Sequence, residues 1–222
     1  MVKHPAKFTD IFIPIFAEKL KGFNLVLDPF AGTGKIADIK KYGWQGKIIG
    51  NEIEPEWATN PDIDEWHICD AERMDYLKDK SIDAICTSPT YGNRMADHFE
   101  AKDDSHRITY RHYLGRILNE NNTGRMQWGT KYKDKHKKIF NEFKRVIKDT
   151  GIIIINVSDH VRAGKIIPVV GWYIYELSNI GFFLKENIEV KTPRIKFGAN
   201  RARVDFENIL VFGVQAAQDV RQ

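Results

Sequence analysis

The stretch that most constrains the fold is residues 26–34, where a short apolar run passes into a glycine-rich turn. The apolar residues predict a buried strand, and Asp28 and Pro29 end it. Gly32 and Gly34 let the backbone turn sharply and approach a ligand closely, because neither has a Cβ atom. A helix is expected directly after the turn, with its free N–H groups facing the glycines. The stretch therefore predicts a ligand-binding strand–turn–helix unit.

Three classes of ligand are bound by turns of this kind. A phosphate-binding P-loop needs a glycine five residues before Gly34 and Ser or Thr at position 36, but the chain has Pro29 and Ile36 there. The dinucleotide fingerprint G-x-G-x-x-G/A is met formally at residues 32–37, and the acid Glu52 follows at a suitable distance. S-adenosylmethionine (SAM) is the third ligand. The turn alone excludes the P-loop and leaves the other two open.

Basic residues are concentrated in two segments of the chain. Residues 92–138 contain 11 Lys/Arg and 6 Asp/Glu, and residues 193–203 contain four Lys/Arg and no acid. The rest of the chain has 19 basic and 24 acidic residues. A mildly acidic body with two basic segments suits a polyanionic partner such as nucleic acid. Basic loops that only face solvent are the plainer alternative.

The remaining composition narrows the class of protein. No apolar run is long enough to span a bilayer, and Asp10 and Pro14 interrupt the apolar N-terminal part, which argues against a signal peptide. Cys69 and Cys86 each end a strand-like run, which predicts free thiols in a reducing compartment. No His/Cys cluster has the spacing of a zinc site. A cytoplasmic protein without a structural metal or a membrane anchor is expected.

Predicted strands and helices alternate along the chain, which implies an α/β fold with a parallel sheet covered on both faces. After the first strand, further strands are predicted at 47–52, 66–70, 81–87, 151–157, 182–192 and 205–212, and helices at 35–42, 131–147 and 168–180. Ligands bind such sheets at the carboxyl ends of the strands. We expect one domain over 1–214, with an insertion at about 92–130 and a tail at 215–222.

Three motifs resemble those of one enzyme family. Residues 28–34 resemble motif I of class I SAM-dependent methyltransferases, particularly enzymes that methylate an exocyclic amino group of a base. Residues 87–91 resemble their catalytic motif IV, which is Asp, Asn or Ser, then two prolines and an aromatic residue; Thr90 replaces the second proline here. Residues 4–8 resemble their motif X. Over residues 4–212 the chain is similar to cytosine-N4 and adenine-N6 DNA methyltransferases.

This resemblance implies a fold, a cofactor and the residues that bind it. The expected fold is Rossmann-like and doubly wound, with a mostly parallel seven-stranded sheet and an antiparallel last strand. The expected cofactor is SAM. Glu52 would accept hydrogen bonds from the ribose hydroxyls, and Asp70 would face the adenine amine. The full set of cofactor-binding candidates is Lys7, Asp28, Phe30, Gly32, Gly34, Glu52 and Asp70.

The second motif carries the predicted chemistry. An exocyclic amine is a poor nucleophile, because its lone pair is delocalised into the base ring. Two acceptors on the amine hydrogens would localise that lone pair, and the Ser88 hydroxyl and Pro89 carbonyl are the candidates. Tyr91 would stack on a base that has left the duplex. Thr90 loosens a turn that proline would stiffen.

We therefore expect a SAM-dependent methyltransferase that modifies the exocyclic amine of cytosine or adenine in DNA. An RNA guanine-N2 or protein-glutamine methyltransferase is an alternative, because those relatives share a motif of this type. A catalytically weak module that binds SAM or nucleic acid is another. The partner is predicted to be DNA, with RNA possible, and the contacting residues to be Arg94, Arg107, Arg111, Arg116, Arg194, Arg201 and Arg203.

Overall fold

The computed structural model describes residues 9–92, 110–162, 164–192 and 204–215. The helices in these ranges are α1 (Ile13–Lys19), α2 (Tyr110–Leu114), α3 (Thr130–Val146) and α4 (Val169–Asn179). Short 3-10 helices lie at Asp10–Phe12, Lys35–Tyr42, Pro55–Trp57 and Thr123–Arg125. The strands are β1 (Leu25–Asp28), β2 (Lys47–Glu52), β3 (Glu65–Ile68), β4 (Ile82–Thr87), β5 (Ile147–Val157), β6 (His160–Arg162), β7 (Lys165–Ile167), β8 (Phe182–Lys191) and β9 (Phe206–Val214).

Seven of the described strands form one sheet in the order β3-β2-β1-β4-β5-β9-β8. Strands β1 to β5 pair in parallel, and β9 lies antiparallel to both β5 and β8. It follows that β8 runs in the same direction as β5. The predicted α/β, Rossmann-like, doubly wound sheet with an antiparallel last strand is confirmed.

Several local elements differ from the sequence prediction. The helix after the glycine turn is a 3-10 helix, and β5 begins at Ile147 immediately after α3, where Ile147 pairs with Ile82. The hairpin β6–β7 was not predicted, because three-residue strands are too short for a detectable alternation. The domain limits 1–214 and the tail 215–222 stay predictions, since residues 216–222 lie outside the described ranges.

The central strands bury both faces, which explains their continuous apolar sequences. In β5, Ile153 and Ile155 pack on the side of α3 and α4, whereas Ile152 and Ile154 pack on the side of α1. Fully burying a side chain of this size contributes about 2 kcal/mol relative to leaving it exposed. The isoleucine run therefore fixes the position of β5 between the two helical layers.

Polar residues lie where the parallel strands end, along one edge of the sheet. Strand β1 ends at Asp28 and β2 at Glu52, while Ser88 directly follows β4. Asn156 is the penultimate residue of β5. Because β9 runs the other way, its beginning reaches this edge, and it brings Glu207 there. The topology therefore gathers these side chains from five strands.

The segment 110–126 is attached to this edge through Glu54, whose side chain is 1% exposed. One Glu54 oxygen accepts hydrogen bonds from the Asn119 backbone N–H at 2.8 Å and the Asn122 amide at 2.9 Å. Its other oxygen lies 2.7 Å from the Arg116 guanidinium. Tyr110 packs edge-on against Trp57 at a ring-centroid distance of 5.5 Å. A buried carboxylate therefore fixes one end of the predicted insertion.

Glu54→Gln should lower the free energy of unfolding by about 2 kcal/mol, because it leaves these donors without a buried charge. Tryptic cleavage after Arg111, Arg116 or Arg125 should also become faster. Chemical denaturation and timed proteolysis measure the two effects. Glu56→Gln is the matched control: it pairs with the same arginine at 2.6 Å, but its carboxylate is 37% exposed, so a loss below about 1 kcal/mol is expected. Equal losses in the two variants would contradict the role given to Glu54.

Candidate active site

The glycine turn places both of its glycines in the left-handed region of backbone conformation, which other residues rarely adopt. Gly32 and Gly34 have φ values of +52° and +73°. A Cβ on Gly34 would lie 2.9 Å from the side chains of both Asn60 and Ile63. The Gly32 N–H donates to Glu52 Oε2 at 2.7 Å. The turn therefore depends on both glycines and is attached to the end of β2.

Asp28 is a fully buried acid at the end of β1. Its Oδ1 accepts hydrogen bonds from the Thr87 hydroxyl at 2.6 Å and the Phe30 N–H at 3.1 Å. Its Oδ2 has no hydrogen-bond partner among the described residues. Burial raises the pKa of the Asp28 carboxyl to about 7, although the two hydrogen bonds act in the opposite direction. A buried acceptor is thus left next to the glycine turn.

Glu52 is a second buried acid, at the end of the neighbouring strand β2. Besides the Gly32 N–H, it accepts the backbone N–H groups of Ile53 at 2.9 Å and Glu54 at 3.0 Å. Burial raises the pKa of the Glu52 carboxyl to about 7, more than these bonds lower it. Two carboxyls of high pKa therefore flank the turn.

Helix α3 packs against Phe30 of the glycine turn and against Asp70, which follows β3. Lys135 forms ion pairs with Asp70 and with Glu72, the latter at 3.1 Å. The Phe30 ring lies nearly parallel to the buried His136 imidazole, at a centroid distance of 5.9 Å. Asp70 and Phe30, both predicted to contact the cofactor, are therefore held by consecutive residues of α3. Sequence reasoning had not connected Lys135 with this region.

The predicted catalytic residues lie close to Asp28. They directly follow Thr87, the last residue of β4, whose hydroxyl donates to Asp28 Oδ1. Ser88 and Tyr91 are half-buried, and Pro89 is buried. The Ser88 Oγ lies 3.2 Å from both the Tyr91 hydroxyl and Asn156 Oδ1. The Tyr91 hydroxyl also donates to Glu207 Oε2 at 3.2 Å. Side chains from β4, β5 and β9 thus form one polar cluster.

Thr90, which replaces the second proline of the motif, is held in place by two contacts. Its hydroxyl donates to the Thr123 hydroxyl at 2.9 Å, and its carbonyl accepts a hydrogen bond from the Tyr132 hydroxyl. Tyr132 is itself 2.8 Å from the Tyr173 hydroxyl. Tertiary contacts therefore fix a turn that proline would have stiffened through its ring.

Two of the predicted nucleic-acid contacts lie in the described part of the chain. Arg111 is half-buried in α2. Arg116 forms ion pairs with Glu54 and Glu56, so its guanidinium is already occupied by carboxylates in this structure. The cofactor candidate Lys7 and the remaining arginine candidates, Arg94, Arg107, Arg194, Arg201 and Arg203, lie outside the described residues.

Neither Glu207 nor Asn156 was among the site residues that the sequence predicted. Asn156 follows an apolar run and Glu207 precedes one, and such a position does not by itself indicate a functional residue. The signal lies in the strand register: Val157 pairs with Asn208, so Glu207 lies just beyond the end of β5. The antiparallel last strand was expected, but its register against β5 was not, and it is this register that brings Glu207 to the same edge as Asn156.

With this geometry described, comparison with known proteins identifies the family. A family model described as DNA methylase, of the N6/N4 methyltransferase type, matches residues 82–219, more than half of the 222-residue chain. The chain belongs to this family. The match includes the predicted catalytic residues Ser88, Pro89 and Tyr91 and the strands β4 to β9. No curated protein matches the sequence significantly.

Solved structures similar to this methyltransferase share its fold at low sequence identity. A SAM-dependent methyltransferase from Methanosarcina mazei has a TM-score of 0.58 and 11% identity, covering 92% of this chain and 98% of the other. A precorrin-6y C5,15-methyltransferase from Geobacter metallireducens has a TM-score of 0.55 and 12% identity, covering 97% and 93%. A complex of the Haloferax volcanii Trm112 methyltransferase activator and a putative methyltransferase gives 0.57 and 10%, covering 93% and 90%.

The protein is a SAM-dependent methyltransferase, and its residues fit that cofactor. SAM carries a sulfonium and an ammonium group, and the turn offers a buried carboxylate oxygen without a partner, Asp28 Oδ2. Gly32 and Gly34 leave the backbone accessible, as a closely bound ligand requires. Bound SAM supplies an activated methyl group.

The described residues include neither a metal-binding cluster nor a membrane-spanning helix. None of their His, Cys, Asp and Glu side chains forms a group of three or more that could hold a metal ion. In the same ranges, every helix is too short or too polar to cross a membrane.

Asp28→Asn should stabilise the cofactor-free protein increasingly as the pH rises from about 5 to about 8. The folded chain keeps the Asp28 proton up to about pH 7, whereas the unfolded chain loses it near its ordinary pKa, so the folded state is penalised as the pH rises. Asparagine removes that penalty and keeps the acceptor for Thr87. Thermal denaturation of both proteins across this range measures the difference.

The difference in melting temperature between wild type and Asp28→Asn reports on the Asp28 carboxyl alone. His136 has its pKa lowered to about 3 by burial, which stabilises the fold as the pH rises towards 6.5, but it is present in both proteins and cancels. A difference in melting temperature that stayed constant with pH would show that Asp28 does not titrate in this window.

Proposed function

We propose that this methyltransferase modifies the exocyclic amino group of cytosine (N4) or adenine (N6) in DNA. The observation that carries the proposal is the polar cluster of Ser88, Tyr91 and Asn156, which lies one residue from the hydrogen bond between Thr87 and Asp28. The membership of the DNA methylase family supports DNA as the substrate. In this proposal Ser88 would be the amine acceptor and Tyr91 the base-stacking ring, and both would lie beside the cofactor.

In this proposal the cofactor is held by the strand ends and the glycine turn. Asp28 Oδ2 would accept a hydrogen bond from the cofactor's ammonium group, and Glu52 would use its remaining lone pair for the ribose hydroxyls. Gly32 and Gly34 would allow close approach. The other assigned residues are Phe30, Asp70 and Lys7.

The catalytic role of the motif is to make the amine nucleophilic. The Ser88 hydroxyl and the Pro89 carbonyl would accept one amine hydrogen each, which draws the lone pair out of the aromatic ring. Within the described part of the chain the Pro89 carbonyl accepts no other hydrogen bond, so it has an acceptor position to offer. The Tyr91 ring, held through its hydroxyl by Glu207 and Asn156, would stack on the extruded base.

The proposed transfer is a direct displacement. Held by Asp28, Glu52 and the glycine turn, SAM would supply the activated methyl group. The amine nitrogen would bond to the methyl carbon, sulfur would keep the electron pair of the broken carbon–sulfur bond, and the nitrogen would release one proton to water. Holding amine and methyl group in line accounts for much of the acceleration, since it turns an encounter of two molecules into a step within one complex.

The DNA backbone would be contacted by the two basic segments of the sequence. The proposed contacts are Arg94, Arg107, Arg111, Arg194, Arg201 and Arg203. Arg116 is the weakest of the original candidates, because Glu54 and Glu56 already bind its guanidinium. Binding of this kind should weaken steeply with salt.

Incubation with labelled SAM and unmethylated DNA, followed by mass spectrometry of the nucleosides, should detect N4-methylcytosine or N6-methyladenine. Ser88→Ala should lower turnover by about 100-fold or more, because a hydrogen bond used at the reacting atom is lost. Tyr91→Ala should do the same through loss of stacking. SAM affinity, measured by calorimetry, should be unchanged in both.

Ser81→Ala is the matched control, because Ser81 precedes the opposite end of β4 and donates to the Lys78 carbonyl. It should keep full turnover. Parallel reactions with structured RNA and with a protein extract test the alternative substrates. Methylation of either of these with none of DNA would overturn the proposed substrate, and full turnover in Ser88→Ala would overturn the catalytic assignment.

Asp28→Asn should raise the dissociation constant of SAM by about 10-fold or more, since a hydrogen bond to a charged group is replaced by an amide. Calorimetry with wild type and variant at pH 8 measures the change. Asp38→Asn removes an acid from the helix after the turn that is paired with Lys41 at 2.6 Å, and it should leave the affinity unchanged. An unaltered dissociation constant in Asp28→Asn would mean that the ammonium group lies elsewhere.

A further inference from the structure

Asn156 is a buried amide that touches the motif without belonging to it. Its residue is 2% exposed and lies at the end of β5, which pairs in parallel with β4. Its Oδ1 accepts a hydrogen bond from the Ser88 hydroxyl at 3.2 Å and lies 3.3 Å from the Tyr91 hydroxyl oxygen. Its Nδ2 has no partner among the described residues. The amide therefore faces the two motif hydroxyls with its carbonyl oxygen.

The serine form of this motif has a chemical requirement that an aspartate form lacks. An ionised carboxylate is only an acceptor, whereas a hydroxyl both donates and accepts. If the Ser88 proton pointed towards the substrate amine, it would repel the amine hydrogens. Ser88 can accept from the amine only when its own proton is bound by a different acceptor.

Two acceptors for that proton lie within reach of Ser88. One is Asn156 Oδ1, and the other is the Tyr91 hydroxyl oxygen at 3.2 Å. Tyr91 is a poorer choice, because a phenol oxygen shares its lone pairs with the ring and accepts more weakly than an amide oxygen, and because it can accept only when its own proton is bound elsewhere, as by Glu207. The amide oxygen carries no proton and is held by the sheet. The geometry thus favours Asn156.

Resting on the function proposed above, we propose that Asn156 is a positioning residue for methyl transfer: its Oδ1 binds the Ser88 proton and leaves the Ser88 lone pairs to accept the amine hydrogen. Asn156 does not touch the reacting atoms. Its effect should appear in kcat and not in the binding of either substrate.

The unpaired Nδ2 argues against a merely structural role. A buried N–H without a partner costs about 1–3 kcal/mol. An apolar side chain of the same size would avoid that cost at this place in the core. In the described structure, the contacts of Asn156 Oδ1 with the Ser88 and Tyr91 hydroxyls are what explains an asparagine at this position.

Three substitutions test the proposal in steady-state assays of DNA methylation. Asn156→Leu keeps the volume and removes the acceptor, so kcat should fall about 10- to 100-fold, while KM for DNA and the SAM dissociation constant stay within about twofold. Asn156→Asp keeps an acceptor oxygen and should retain activity within about fivefold. Tyr91→Phe keeps the ring and should lose less than Asn156→Leu, because Asn156 still holds the Ser88 proton.

Asn208→Leu is the matched control. Asn208 is equally buried on the adjacent strand β9, and its amide donates to Asn187 at 2.8 Å, away from the motif. It should lose stability without losing kcat. If Asn156→Leu does not fold, as judged by circular dichroism and SAM binding, Asn156→Asp and Asn156→Ser decide the question, with only the former expected to be active.

The possible outcomes separate this inference from the proposed function. A wild-type enzyme that methylates no DNA would overturn both. An active wild type with an equally active Asn156→Leu would overturn the positioning role alone. Equal losses in Asn156→Asp and Asn156→Leu would also overturn it, because they would show that the amide nitrogen, and not the carbonyl oxygen, is what Ser88 needs.

Discussion

The hydrogen bond from Thr87 to the buried Asp28 carboxylate joins the two halves of this site. Asp28 ends the strand that leads into the glycine turn, and Thr87 ends the strand that leads into the Ser-Pro-Thr-Tyr motif. Both strands are central in the sheet, so neither end can shift without disturbing packing on two faces. A single contact of 2.6 Å therefore fixes the spacing between the glycine turn and the motif.

The same region carries an energetic cost. Two carboxyls, Asp28 and Glu52, are buried at adjacent strand ends, and burial raises the pKa of each to about 7. No Lys or Arg in the described residues forms an ion pair with either. Elsewhere in the described chain, acids such as Asp38 and Asp83 pair with lysines, which hold their pKa below the ordinary value although burial opposes it. Buried acids without a basic partner, such as Asp28 and Glu52, suit a site for a cationic ligand, because the ligand can then supply the positive charge.

The sequence was sufficient for the sheet and for the position of the motifs, because both depend on local patterns. Continuous apolar runs predicted the central strands, and the strand ends then gave Asp28, Glu52 and Ser88. Glu207 could not be found in this way, since its place in the site depends on the antiparallel register of β9 against β5. The fixing of Thr90 by Thr123 and Tyr132 was equally hidden, because those partners are 33 and 42 residues away in the chain.

The reversed direction of β9 also has a consequence for how the enzyme's specificity can diversify. Strand β8 leaves the sheet at the same edge at which β9 enters it, and the Thr192 N–H donates to the Asp205 carbonyl at 2.6 Å. A backbone hydrogen bond therefore joins the chain where it leaves β8 to the chain where it enters β9. Because Lys191 pairs with Phe206 and this hydrogen bond lies directly beyond the pair, we expect changes of sequence between positions 192 and 205 to leave the register of the sheet unaffected. Under the proposed function, evolution or protein engineering could therefore vary the proposed DNA contacts Arg194, Arg201 and Arg203 without altering the proposed catalytic residues.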